Sequence, residues 1–130
     1  MKNLTRLTMT VLFATLVLVF ASQTALAQDP VKVDPKHYKV QFENDQVRVL
    51  RITYGPHEKS VMHDHPESVV VYITDAHVKF ALPGGKTEES HGKAGDTTWA
   101  PAGKHLPENL SDKSLEGILV ELKAKPVKTK

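Results

Sequence analysis

An all-β domain is the fold class that this sequence predicts, and three observations carry it. Short runs rich in β-branched and aromatic residues recur over residues 38–122. Turn residues separate them at fairly regular spacing, and there is almost no helix signal between them. Residues 38–42 alternate apolar and polar, and Asn44-Asp45 turns the chain. Residues 47–54 form a long β-branched run that Gly55-Pro56 ends. Residues 61–65 make a short segment. Residues 69–74 are continuously apolar, as in a strand buried on both faces. Asp75-Ala76 leads into the alternating run 77–82, Pro83-Gly84-Gly85-Lys86 is a hairpin signal, and 87–91 pairs back. Residues 97–100 run into Pro101, 111–113 turn, and 115–122 close the domain. Such spacing suits a sandwich or a barrel. It does not choose between jelly-roll, immunoglobulin-like and lipocalin-like forms.

The ends of the chain read differently from this body. Lys2 and Arg6 precede an uncharged apolar run over residues 7–20, and Ala25-Leu26-Ala27 is a small-x-small cleavage site. Residues 1–27 are therefore expected to be a cleavable signal peptide, with the mature protein starting at Gln28 in the periplasm or outside the cell. The apolar run is short for a membrane span, so no stable membrane insertion is expected after cleavage. Residues 28–37, with Pro30 and Pro35, read as an extended N-terminal linker; 38–123 read as one domain; and 124–130 read as a Lys-rich tail.

Composition excludes several chemistries. There is no cysteine, so disulfides, thiolate nucleophiles, thiolate metal sites and iron–sulfur clusters are ruled out. Two of the 17 basic residues and none of the 15 acidic ones fall in residues 1–27. The remainder is thus balanced in charge, and nothing electrostatic points to a nucleic acid partner. Without disulfides, stability rests on the core, with metal or self-association into a homodimer as supplements.

Two segments carry the chemistry. In His63-Asp64-His65 the imidazoles stand at i and i+2 of a predicted strand, so both leave one face and Asp64 leaves the other. In the segment from Gly95 to Asn109, a third imidazole, His105, follows Pro101-Ala102-Gly103. Gly103 is expected to supply a positive φ in the turn before it. Three neutral imidazoles converging on one point make a site for a divalent transition metal.

These segments resemble the two signature motifs of the cupin superfamily. Gly55, His63 and His65 fit the first, and Gly95, Pro101, Gly103, His105 and Asn109 fit the second. Two spacings differ slightly from the family pattern, and the family's metal-binding glutamate would fall where Val69 and Val70 stand. Glu67 is the nearest carboxylate. Small single-domain cupins of the cupin-2 kind fit best, with similarity to cupins associated with β-alanine degradation. The resemblance implies a cupin-type jelly-roll β-barrel and one bound metal. It does not specify a reaction, because the fold hosts many.

The candidate metal ligands are therefore His63, His65 and His105. Glu67 is a further candidate, as ligand or as catalytic base, although Pro66 interrupts the strand before it. The ion is one of Zn, Ni, Cu, Mn or Fe. Lack of the family carboxylate favours the first three over Mn and Fe. Arg48 and Arg51 fall on opposite faces of their strand, so one points inward or to the rim, where an ion pair is expected. Asn109 reads as structural, bonding loop backbone. His57 and His91 read as solvated loop residues, and His37 and His77 as surface residues. Phe42, Tyr54, Tyr72, Phe80 and Trp99 read as core. The function expected is an exported metal-binding cupin that takes a small organic ligand, a carboxylate being one class, in its barrel. The alternative is a small metalloenzyme, a dioxygenase or an isomerase or lyase, using the three-histidine site.

Overall fold

The computed structural model describes residues 28–124. Nine strands follow a single turn of helix. The helix, α1, is Pro30–Val33, and the strands are β1 (Tyr38–Glu43), β2 (Val47–Tyr54), β3 (His63–His65), β4 (Ser68–Tyr72), β5 (Ala76–Ala81), β6 (Thr87–Gly92), β7 (Thr97–Ala100), β8 (Gly103–Asn109) and β9 (Leu115–Leu122). They form two antiparallel sheets, ordered β1-β2-β9-β4-β7 and β3-β8-β5-β6. No helix among the described residues is long and apolar enough to cross a membrane. The expected signal peptide, and the tail beyond residue 124, lie outside the described residues.

The turns form where local chemistry demands. The Asn44 carboxamide accepts the Gln46 and Val47 amides at 2.8 and 2.9 Å, folding β1 back onto β2. Gly84 and Gly85 both take φ of 84°, the left-handed conformation that a tight hairpin between β5 and β6 requires. In β9, Leu115, Gly117, Leu119 and Glu121 are buried and alternate with more exposed neighbours. The core gathers Tyr38, Leu50, Tyr54, Ala76, Val78, Leu115 and Leu119 between the sheets.

Several expectations need correction. Residues 28–37 are not an extended linker. Asp29 caps α1 by accepting the Val31 amide, Pro30 is buried at the first helical position, and Asp34 and His37 are buried. His37, expected at the surface, stacks on Tyr54 with centroids 4.3 Å apart and bonds Asp34 at 2.7 Å and Glu58 at 3.0 Å. Phe42 and Trp99, expected in the core, are 54% and 52% exposed. β4 is half-buried along most of its length rather than buried on both faces. Gly103 does not have positive φ; it opens β8 opposite His65. β8 itself is unexpected, because Gly103, Pro107 and four polar residues hide any alternation. The strand tolerates Pro107 where it changes partners: residues 103–105 pair with β3 and 106–109 with β5.

Candidate metal centre

β3 and β8 run antiparallel with His63 opposite His105, Asp64 opposite Lys104 and His65 opposite Gly103. Directly opposed residues share a face, as do residues two apart on one strand, so pairing delivers all three imidazoles to one side. One ring nitrogen from each of His63, His65 and His105 lies within 4.8 Å of the other two. The ring centroids are 4.7, 5.1 and 5.2 Å apart. This triad could hold a metal ion.

The hydrogen bonds settle which nitrogens are available. His63 Nδ1–H donates to the Val61 carbonyl at 2.8 Å, with Ser60 Oγ at 3.3 Å beside it. The Ser60 hydroxyl proton is itself donated to Asp34. His65 Nδ1–H donates to Glu121 Oε1 at 2.7 Å. In the neutral rings both Nε2 atoms then carry lone pairs, and these atoms are 3.0 Å apart. Facing lone pairs repel unless a cation lies between them. A proton placed there makes one ring an imidazolium. Otherwise a metal ion fits, since bonds of about 2.0–2.2 Å hold neighbouring donor atoms about 3.0–3.5 Å apart.

Burial keeps His63 and His105 neutral. Burial first, and the His65 charge second, push His63 down to about 4. Burial, then His65 and His63, push His105 down to about 3. These imidazoles thus present lone pairs rather than protons at neutral pH. The same shifts make metal-free protein acid-sensitive. Unfolded histidine titrates near 6.5, so below that pH the unfolded chain binds protons that His63 and His105 refuse. Their stabilisation is complete above about pH 6.5 and is lost as pH falls through their folded values. For His63 the loss is on the order of 3 kcal/mol. Urea midpoints of metal-free protein should fall steeply between pH 6.5 and 4; a flat profile would contradict the assigned protonation states.

Glu121 is the residue that sequence reasoning missed. Its carboxylate, 1% exposed, accepts from His65 and from Arg48 Nε at 2.6 Å, and Arg48 also bonds Asp29 at 2.6 Å. Burial acts to raise the Glu121 carboxyl, but the His65 and Arg48 hydrogen bonds outweigh it and hold the group below its ordinary range. A carboxylate behind a ligating histidine fixes its tautomer and raises its basicity. The alternation of β9 was a usable signal, since Glu121 falls in phase with the buried Leu115 and Leu119. The arginine expectation holds: Arg48 is the one in this inner ion pair, and Arg51 pairs with Glu116.

The other candidates fall elsewhere. Glu67 is exposed, its carbonyl accepts the Leu122 amide at 2.9 Å, and its carboxylate does not join the triad. The break at Pro66 turns the chain from β3 into β4 before Glu67 can follow His65 inward. Asn109 donates to the Gly55 and Lys113 carbonyls and accepts the Ser111 amide, a structural role as expected. His57 is exposed and pairs with Asp112.

Beside the triad lies a cavity of about 110 Å³. His65, His105 and Glu116 are among its polar lining residues, and Tyr38, Val70, Tyr72 and Phe80 contribute apolar walls. Phe80 packs on the His105 ring with centroids 4.9 Å apart, and Tyr38 meets His63 edge-on at 4.9 Å. The space suits a ligand of few heavy atoms, well below the size of typical drug pockets. No lysine or arginine is among the described residues lining it.

No protein-family model and no curated protein matches the chain by sequence. Solved structures do match. A cupin domain from Bordetella pertussis Tohama I is 28% identical, with a TM-score of 0.62 over 67% of this chain and 92% of that one. A cupin 2 conserved barrel domain protein from Salinispora arenicola is 18% identical, covering 71% of this chain and 80% of that one at a TM-score of 0.53. An RmlC-like cupin family protein with a double-stranded β-helix fold from Methanocaldococcus jannaschii is 17% identical, covering 68% and 83% at a TM-score of 0.51. The two antiparallel sheets and these neighbours establish the cupin fold, a double-stranded β-helix, with a cupin-2 barrel among its structural relatives.

Proposed function

We propose that this protein is an exported cupin that holds one divalent metal on His63, His65 and His105 and binds a small organic ligand in the adjoining cavity. The observation that carries the reading is the pair of Nε2 atoms 3.0 Å apart with both Nδ1 atoms committed elsewhere. An all-nitrogen donor set favours Zn, Ni or Cu over Mn or Fe. The cavity lining offers a carboxylate ligand no cationic side chain, so its charge would be met by the metal itself. Kinship with cupins of β-alanine degradation is part of this proposal and rests on the sequence alone.

The second reading, a metalloenzyme, is favoured by one feature: three protein ligands leave coordination positions open, as catalytic metal sites do. Product formation by metal-loaded wild type separates the two, and Glu67→Gln tests whether the exposed Glu67 takes part in it. As a binding protein, wild type and variant should bind metal and a screen of small carboxylates alike, with no product from either. A turnover loss of about 10²-fold with retained affinity would establish Glu67 as a general base and overturn the binding reading. Export is tested by intact mass of protein from an envelope fraction. The expected N-terminus is Gln28; a retained Met1 would mean an anchor instead.

A further inference from the structure

A second group of potential ligands lies on the opposite side of its sheet from the triad. Val78 is buried and lines the inner cavity, as its neighbour His77 does not. Alternation along β5 therefore turns His77 outward. His77 pairs directly with His91 across β5 and β6, and Glu89 stands two residues before His91 on the same strand. All three side chains thus share the outer face. The two imidazoles stack with centroids 4.1 Å apart and planes within 18°. His77 Nε2–H donates to Glu89 Oε2 at 2.8 Å. One ligand atom from each of the three lies within 4.8 Å of the others.

We propose that His77, Glu89 and His91 form a second, solvent-accessible metal site that takes a nitrogen-preferring divalent ion such as Zn²⁺. Two imidazoles and one carboxylate make a recognised zinc donor set, with a fourth position left for water. His77 Nε2 and Glu89 Oε2 are already near enough, and the remaining donor separations, all within 4.8 Å, must settle to about 3.0–3.5 Å, the spacing set by metal–ligand bonds of about 2.0–2.2 Å. Exposed side chains can do this by rotation. His77 and Glu89 are 36% and 56% exposed, and the ion replaces the hydrogen bond between them. Lys79, the nearest competing cation on β5, is drawn away to Glu108 at 2.7 Å. Both histidines also line an open groove of about 440 Å³, so an ion can enter without opening the barrel. The site uses no residue of the inner centre and does not depend on it.

The test is zinc content after loading with Zn²⁺ and dialysis, in wild type, His91→Ala, Glu89→Gln and His105→Ala. Wild type should retain two equivalents. His91→Ala should retain one, His105→Ala should retain one, and Glu89→Gln should bind its outer ion at least about tenfold more weakly, since even an outer-shell partner costs that much. Both outer substitutions are at exposed positions, so the fold should survive them. If His91→Ala holds as much zinc as wild type, the outer site is overturned. If wild type holds one equivalent that His91→Ala abolishes, the outer site stands and the inner centre falls.

Discussion

Glu121→Ala should destabilise the metal-free protein by about 3 kcal/mol and weaken metal binding by about 10–100-fold. The carboxylate joins two partners inside the barrel, the His65 imidazole and the Arg48 guanidinium. Removing it leaves His65 Nδ1–H without an acceptor and Arg48 with half its charge partners. Breaking a buried pair costs about 3–5 kcal/mol, and the lower figure applies because Asp29 still holds Arg48. The metal effect follows by another route: without Glu121, His65 loses the bond that orients it and holds the proton on Nδ1. Glu121→Gln should be milder, because an amide oxygen still accepts from His65. Urea unfolding and metal titration of the three proteins check this. Equal metal affinity in wild type and Glu121→Ala would show that the carboxylate does not support the ligand.

Metal should raise the thermal midpoint of the wild type in proportion to the logarithm of its free concentration. Binding to the folded state alone adds about 2.7 kcal/mol at a hundredfold excess over Kd and about 4.1 at a thousandfold. Chelation should reverse it. His63→Ala or His105→Ala should abolish the part due to the inner centre. His57→Ala, at an exposed position that pairs with Asp112 and takes no part in the triad, should keep it. His37→Ala is an unsuitable control, because His37 is buried against Tyr54 and bonded to Asp34. A midpoint unmoved by metal in the wild type would remove the linkage.

What was legible in the sequence was whatever depended on local periodicity. His63 and His65 announce a shared face by spacing alone, and the strand-and-turn rhythm of residues 38–122 announces the β class. His105 required the second motif, since no local rule places it across from His63. That pairing is a property of β8, a strand whose Gly, Pro and charged residues carry no alternation. Glu121 was legible in half: its phase in β9 marks it as inward, but its contact with His65 joins positions 56 apart and is invisible to any local pattern. The motif puts the family's carboxylate where Val69 and Val70 stand, which leaves Glu67 as the nearest acid along the chain. The buried acid beside the ligands comes from β9. The segment before β1 misled for a related reason. Two prolines suggested an extended linker, yet one of them opens a helical turn whose cap also anchors Arg48.

The central claim is that His63, His65 and His105 together hold the ion. Anomalous diffraction at the zinc edge, from crystals of His91→Ala protein loaded with one equivalent of Zn²⁺, tests it most directly. The expected result is a single peak about 2.0–2.2 Å from Nε2 of His63, Nε2 of His65 and a ring nitrogen of His105. A peak elsewhere, with these three rings free of metal, would contradict it.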